Sequence, residues 1–226
     1  MAIEPLAPIA RTVTAPPAAP SAPGTRPYRD ILADTLDGRR ATLNAALAAL
    51  SAQADDLAAV AASLVGTLRG GCKVLVAGNG GSAAEAQHFA AELVGRFQRE
   101  RAPYAALALT TDTATLTAVA NDYGYAAVFA RQVRAFGQRG DLLLAFSTSG
   151  ESENLLRAAA ACRERQVGLV ALTGARPSRL GAAADLALRV PSTETAVVQE
   201  LHKILTHVLC DLVEAELVAW VGEAER

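Results

Sequence analysis

The chain has 226 residues and a formal net charge of −2, enough for one large α/β core with an appendage and too few for two full domains. Residues counted as hydrophobic make up 51% and aromatics only 4%, so aliphatic side chains and closely packed helices must build the core. The basic residues are scattered, which argues against nucleic acid or an anionic membrane as partner, and the three widely spaced cysteines show neither a disulfide framework nor thiolate metal spacing, which points to a reducing cytoplasm.

In chain order, residues 1–27 are rich in Ala and Pro, which denies the backbone regular hydrogen bonding and leaves little to bury. A disordered tail is expected there, with a single domain over 28–226. No signal peptide is expected, because no charged region precedes an apolar one. The most apolar later stretch, 208–221, is interrupted by Asp211, Glu214 and Glu216, so no membrane span is expected either. From 28 to about 68, apolar residues recur at three- and four-residue spacing in two blocks separated near Ser51, which predicts two amphipathic helices. Their apolar faces suit burial against the domain or a partner subunit. Short apolar runs then alternate with helical segments at 73–77, 105–109, 142–146, 168–172 and 186–190. Five such strands predict a parallel, doubly wound sheet with right-handed crossovers. Residues 194–221 read as one long helix.

Two loops stand out against this frame. Gly78-Asn79-Gly80-Gly81-Ser82 follows the first strand and opens a helix over 82–96. Glycines there let the backbone approach a ligand, and free amides at a helix N-terminus favour an anion such as phosphate. Ser147-Thr148-Ser149-Gly150-Glu151-Ser152 follows the third strand and offers hydroxyls to oxygens that only accept hydrogen bonds. Capping by Ser149 or Ser152 accounts for one hydroxyl, not four. In a parallel sheet both loops lie at the carboxyl ends of their strands, where ligands bind. Gly78, Gly80 and Ala83 also satisfy a dinucleotide fingerprint, with Asp112 near the end of the second strand. That fingerprint needs only the first loop, so the pair of loops favours a phosphorylated small molecule.

All three histidines fall in two predicted helices. His88 and Glu92 are four apart and share a face. The last helix carries Gln199, Glu200, His202 and His207. Imidazole and carboxylate together suit a divalent metal such as zinc. His202 and His207 are rotated about 140° from each other, so one of them is structural. Gln199 and His207 differ by about 80° and roughly 12 Å of rise, a gap for one ion that long side chains, irregular helix geometry or a second subunit would have to close.

Taken together, the glycine loop, His88-Phe89-Ala90-Ala91-Glu92-Leu93, Asn121-Asp122, Ser147-Thr148-Ser149-Gly150 and Gln199-Glu200-Leu201-His202 resemble the phosphoheptose isomerase family, in that family's order. The resemblance implies a sugar-isomerase (SIS) domain, a three-layer α/β sandwich with five parallel strands in flavodoxin-like order. It further implies a cytoplasmic homotetramer with active sites between subunits, acting on a phosphorylated ketose. One zinc per subunit would be held by His88, Glu92, Gln199 and His207, with Glu92 and His207 in acid-base chemistry and His202 structural. Substrate contacts carry over to Asn79, Gly80, Gly81, Glu92, Asn121, Asp122, Ser147, Thr148, Ser149, Ser152 and Gln199, and Ser82 of the glycine loop joins them. The implied reaction converts sedoheptulose 7-phosphate to D-glycero-D-manno-heptose 7-phosphate, the first step towards nucleotide-activated heptose. Glu151 departs from the family, which has Asn there, and a carboxylate beside a phosphate is repulsive unless it points away or meets a cation.

Three rival readings remain. A non-enzymatic relative that binds a replication initiator would lack acid-base residues at Glu92 and His207. A nicotinamide-dependent dehydrogenase would leave the serine loop and the His88, Glu92, His207 set without a role. An isomerase of another ketose phosphate keeps the chemistry and changes the substrate.

Overall fold

A computed structural model describes residues 26–224, so the expected tail at 1–27 lies outside the described residues except for its last two, which take no regular structure. The described residues divide into two units, with the boundary between Arg40 and Ala41 inside the first helix. That helix, α1, spans Tyr28–Ser51. Arg26, just before this helix, pairs with Asp34 at 2.6 Å, and within it Arg40 pairs with Asp37 at 3.0 Å, both on exposed surface.

The second unit continues through α2 (Ala54–Arg69), β1 (Val74–Gly78), α3 (Gly81–Val94), β2 (Ala106–Ala108), α4 (Thr113–Tyr123), a 3₁₀ turn at Tyr125–Ala127 and α5 (Val128–Phe136). It closes with β3 (Leu142–Ser147), α6 (Glu153–Arg165), β4 (Gly168–Thr173), α7 (Arg179–Ala183), β5 (Leu186–Arg189) and α8 (Thr195–Ala224). The five strands pair in the order β2-β1-β3-β4-β5, all parallel. This is the flavodoxin-like order, whose switch point lies between β1 and β3. Ligands of such sheets bind outside the carboxyl ends of the strands at that point.

Side chains alternate across each strand and so feed two cores. Val74, Val76, Leu142, Leu144, Phe146, Val170 and Leu172 point to the face covered by α2, α3 and α8. Leu75, Ala77, Leu143, Ala145, Leu169 and Ala171 point to the opposite face, with Phe129 and Val133 of α5 and Leu155, Ala158 and Cys162 of α6. Continuous burial of β1 and β3 explains why these runs carry no polar alternation. The predicted strands are met to within a residue at every boundary, edge strand β2 being trimmed at both ends. Among the described residues, no single helix is long and apolar enough to cross a membrane.

Candidate active site

The register that pairs Gly78 with Phe146 sets the glycine loop and the serine loop side by side. Asn79, Ser82, Ser147, Thr148, Ser152 and Gln199 line one small cavity of about 50 Å³ between them. Gly81 faces the Gln199 side chain from the start of α3, and a Cβ there would come within 2.6 Å of Gln199 Nε2. A side chain there would push that amide aside. Ser152 precedes α6 without a side-chain cap bond, so its hydroxyl is not engaged in capping. Ser147 Oγ accepts from the Gly150 amide at 2.9 Å, and Ser149 Oγ accepts from the Glu151 amide at 3.2 Å. Gly150 itself sits at φ 68°, the left-handed region in which side chains are strained.

Further along α3 and α8, His88, Glu92 and His207 converge, with one ligand atom from each lying within 4.8 Å of the others. His88 Nε2 stands 2.9 Å from His207 Nε2 and 3.2 Å from Glu92 Oε1. Tetrahedral ligands about 2.05 Å from an ion sit about 3.4 Å apart, so these spacings and the N, N, O donor set fit a divalent metal such as zinc. His88 and Glu92 keep 32% and 21% of their side-chain surface exposed, which leaves the cluster open to a small molecule.

Gln199 is not among these three. It lies beside Gly81, while His207 lies beside His88, seven residues further along α3. Gly81 and His88, the residues that Gln199 and His207 sit against, are about 10 Å apart along α3. Asn121 and Asp122 are exposed at the end of α4, where Asn121 Nδ2 donates to Asp122 Oδ1 at 2.8 Å. Gly80, before α3, takes φ 56° and opens the turn in which the Ser82 amide donates to the Asn79 carbonyl at 3.0 Å.

His202 is buried between the sheet and α8, edge-on to Phe146. Neither ring nitrogen has a hydrogen-bond partner of good geometry among the described residues. Burial pushes its pKa down to about 4, weakly opposed by the Thr173 backbone, so the ring is neutral near pH 7.

Several residues that support the site were not legible from the sequence. Asn154, 3% exposed on α6, exchanges amide hydrogen bonds with Asn79 at 2.8 and 2.9 Å, and Tyr125 Oη donates to Asn79 Oδ1 at 3.0 Å. Glu214 on α8 accepts from the amides of Phe97, Gln98 and Arg99 and from Arg101 Nε at 2.8–3.1 Å. Burial pushes the Glu214 carboxyl up, but those amides and Arg101 outweigh it and hold it below the usual carboxylate range. Arg101 in turn donates to the Glu92 carbonyl at 2.8 Å, and Phe97 packs its ring 5.3 Å from that of His207. The segment after α3 is thereby fastened to α8 beside the histidines. No local motif signals such long-range pairs.

Two sequence ambiguities resolve here. Asp112 caps α4, accepting from Thr115 N at 3.1 Å and from the Thr115 hydroxyl, which holds its carboxyl low and engages the acid a dinucleotide ribose would need. Glu151 does meet a cation, since Arg179 Nε lies 2.6 Å from its Oε2 and the Arg179 amide 2.9 Å from its Oε1.

A five-stranded parallel sheet of this order, with glycine and serine loops at its switch point and a His-Glu-His cluster on the covering helices, is the architecture of a sugar-isomerase domain. Residues 40–174 match the SIS domain family. The chain is 51% identical over 175 residues to a phosphoheptose isomerase from Aromatoleum aromaticum, covering 76% of this chain and 88% of that one. It is 52% identical over 161 residues to one from Rhodospirillum rubrum, at 71% and 86% coverage. The solved phosphoheptose isomerase of Neisseria gonorrhoeae superposes with a TM-score of 0.76 at 39% identity, over 84% of this chain and all of that one. The chain belongs to the phosphoheptose isomerase family and is an isomerase.

Proposed function

We propose that the protein converts sedoheptulose 7-phosphate to D-glycero-D-manno-heptose 7-phosphate through an enediol, with a zinc ion at His88, Glu92 and His207. The observation that supports this reading is that His88, Glu92 and His207 gather about 10 Å along α3 and α8 from the serine and glycine loops. In a seven-carbon sugar phosphate, C2 and phosphorus are joined by seven bonds, an extended reach of about 9 Å. A phosphate held by Ser147, Thr148, Ser149 and Ser152 therefore delivers the C1–C2 end to the cluster.

At that end, the Glu92 carboxylate takes the proton from C1, electrons move to the C2 carbonyl, and the enediol forms. Returning the proton to C2 while O1 becomes the carbonyl completes the exchange, so atoms balance without any redox partner. His207 moves protons at the sugar oxygens, which includes opening of the cyclic ketose. A bound divalent ion would supply a positive charge that stabilises the enediolate oxygens. Gln199, Asn79 and Ser82 contact the hydroxyls in between, and Asn121 and Asp122 reach the substrate from the outer side. Residues 28–226 act as one functional domain, and the working form is a cytoplasmic homotetramer with sites near subunit boundaries. Support for assembly comes from Val208 and Leu212, one turn apart and 37% and 42% exposed on α8 next to His207.

Incubation with sedoheptulose 7-phosphate in deuterated water should yield an aldoheptose 7-phosphate carrying deuterium at C2 by NMR. Rapid turnover of a different ketose phosphate with none of the heptulose would shift the substrate, and no turnover of either would remove the reaction.

A further inference from the structure

Glu151 presents a difficulty for a loop that binds phosphate. It lines a cavity of about 330 Å³ together with Thr148, Ser149, Arg176, Thr193 and Thr195, so it shares that cavity with two residues of the serine loop, and Thr148 also lines the smaller cavity between the two loops. Its amide is also tied to Ser149 Oγ, which fixes it to the loop. An unmasked carboxylate there repels a dianion. Both its oxygens are engaged by one residue, the Arg179 guanidinium on Oε2 and the Arg179 amide on Oε1, and the Glu151 carbonyl accepts from Arg179 Nη2 at 3.4 Å. The Glu153 carboxylate lies 3.9 Å from the same guanidinium. Arg179 in turn opens α7, anchored where the Leu180 amide donates to the Gly150 carbonyl at 3.0 Å.

We infer that Arg179 is a positioning residue that sets phosphate affinity by masking Glu151, so that a loop carrying an acid can still hold a phosphorylated sugar. This rests on the serine loop being the phosphate site of the isomerase reading. Arg179 touches no reacting atom; it acts through Glu151. Both side chains are substantially exposed, so replacing either leaves the core intact.

The test measures inorganic phosphate binding by calorimetry, with sugar phosphate kinetics alongside. Arg179→Gln should weaken phosphate about fivefold and raise KM by the same factor with kcat unchanged, as for an exposed charge contact. Glu151→Gln should bind phosphate at least as tightly as the parent, and the double variant should match Glu151→Gln. Unchanged affinity in Arg179→Gln overturns the inference. So does a double variant as weak as Arg179→Gln, since Arg179 would then touch the anion directly, and so does a parent protein that does not bind phosphate. The predicted phosphate pattern without turnover of any sugar phosphate would remove the isomerase reading and leave the masking intact.

Discussion

Glu92 on α3 and His202 on α8 are titratable groups placed in opposite surroundings. Glu92 is partly exposed and in contact with His88, where a carboxylate can reach a substrate carbon. Glu92→Gln keeps the shape and an oxygen donor but removes the base. Turnover should fall by about 10²- to 10⁴-fold with the melting temperature nearly unchanged. Near-parental activity in that variant would remove Glu92 from the proton transfer.

His202 is sealed and neutral. Its folded pKa of about 4 lies below the ordinary 6.5, so the unfolded chain binds the proton more readily between those values. Its contribution to stability is therefore complete above about pH 6.5 and drains away as pH falls towards 4, by up to about 3 kcal/mol. Chemical denaturation from pH 7 to 4 should show His202→Gln with a flatter pH dependence than the parent; equal slopes would contradict a buried neutral ring.

Among elements, the contact between α3 and α8 decides the geometry, since Gln199 meets Gly81 near one end and His207 meets His88 about two turns on. Gly81→Ala should displace the Gln199 amide and lower kcat/KM about tenfold or more, while stability changes by about 1 kcal/mol or less, because the clash is with a flexible side chain. A variant with parental kcat/KM would show that Gln199 has no part in binding.

The strands and both loops were legible because burial on two faces leaves unbroken apolar runs such as Leu142, Leu143 and Leu144, and because Gly and Ser cluster where a strand turns into a helix. Helix periodicity likewise placed the break at Ser51. The partners of Asn79, Glu151 and the segment after α3 were not legible, since Asn154, Arg179 and Glu214 lie 75, 28 and well over 100 residues away and obey no local spacing. The halting of α3 at Val94 rather than 96 belongs with these, as Glu214 draws the following amides to α8.

For the whole molecule, the parallel sheet aligns its loops at one edge, and the covering helices carry His88, Glu92 and His207 about 10 Å further along. Val208 and Leu212 on α8 leave apolar surface exposed near His207; the proposed homotetramer predicts that sedimentation reports a tetramer, and a monomer at micromolar concentration would contradict it.

The claim on which the rest depends is that His88, Glu92 and His207 hold a catalytic metal. Its most direct measurement is metal content and sedoheptulose 7-phosphate turnover on one preparation, before chelation, after verified stripping and after titration with zinc. One ion per chain, with activity lost and regained in proportion to occupancy, is the expected result; full turnover by protein confirmed to be metal-free would contradict it.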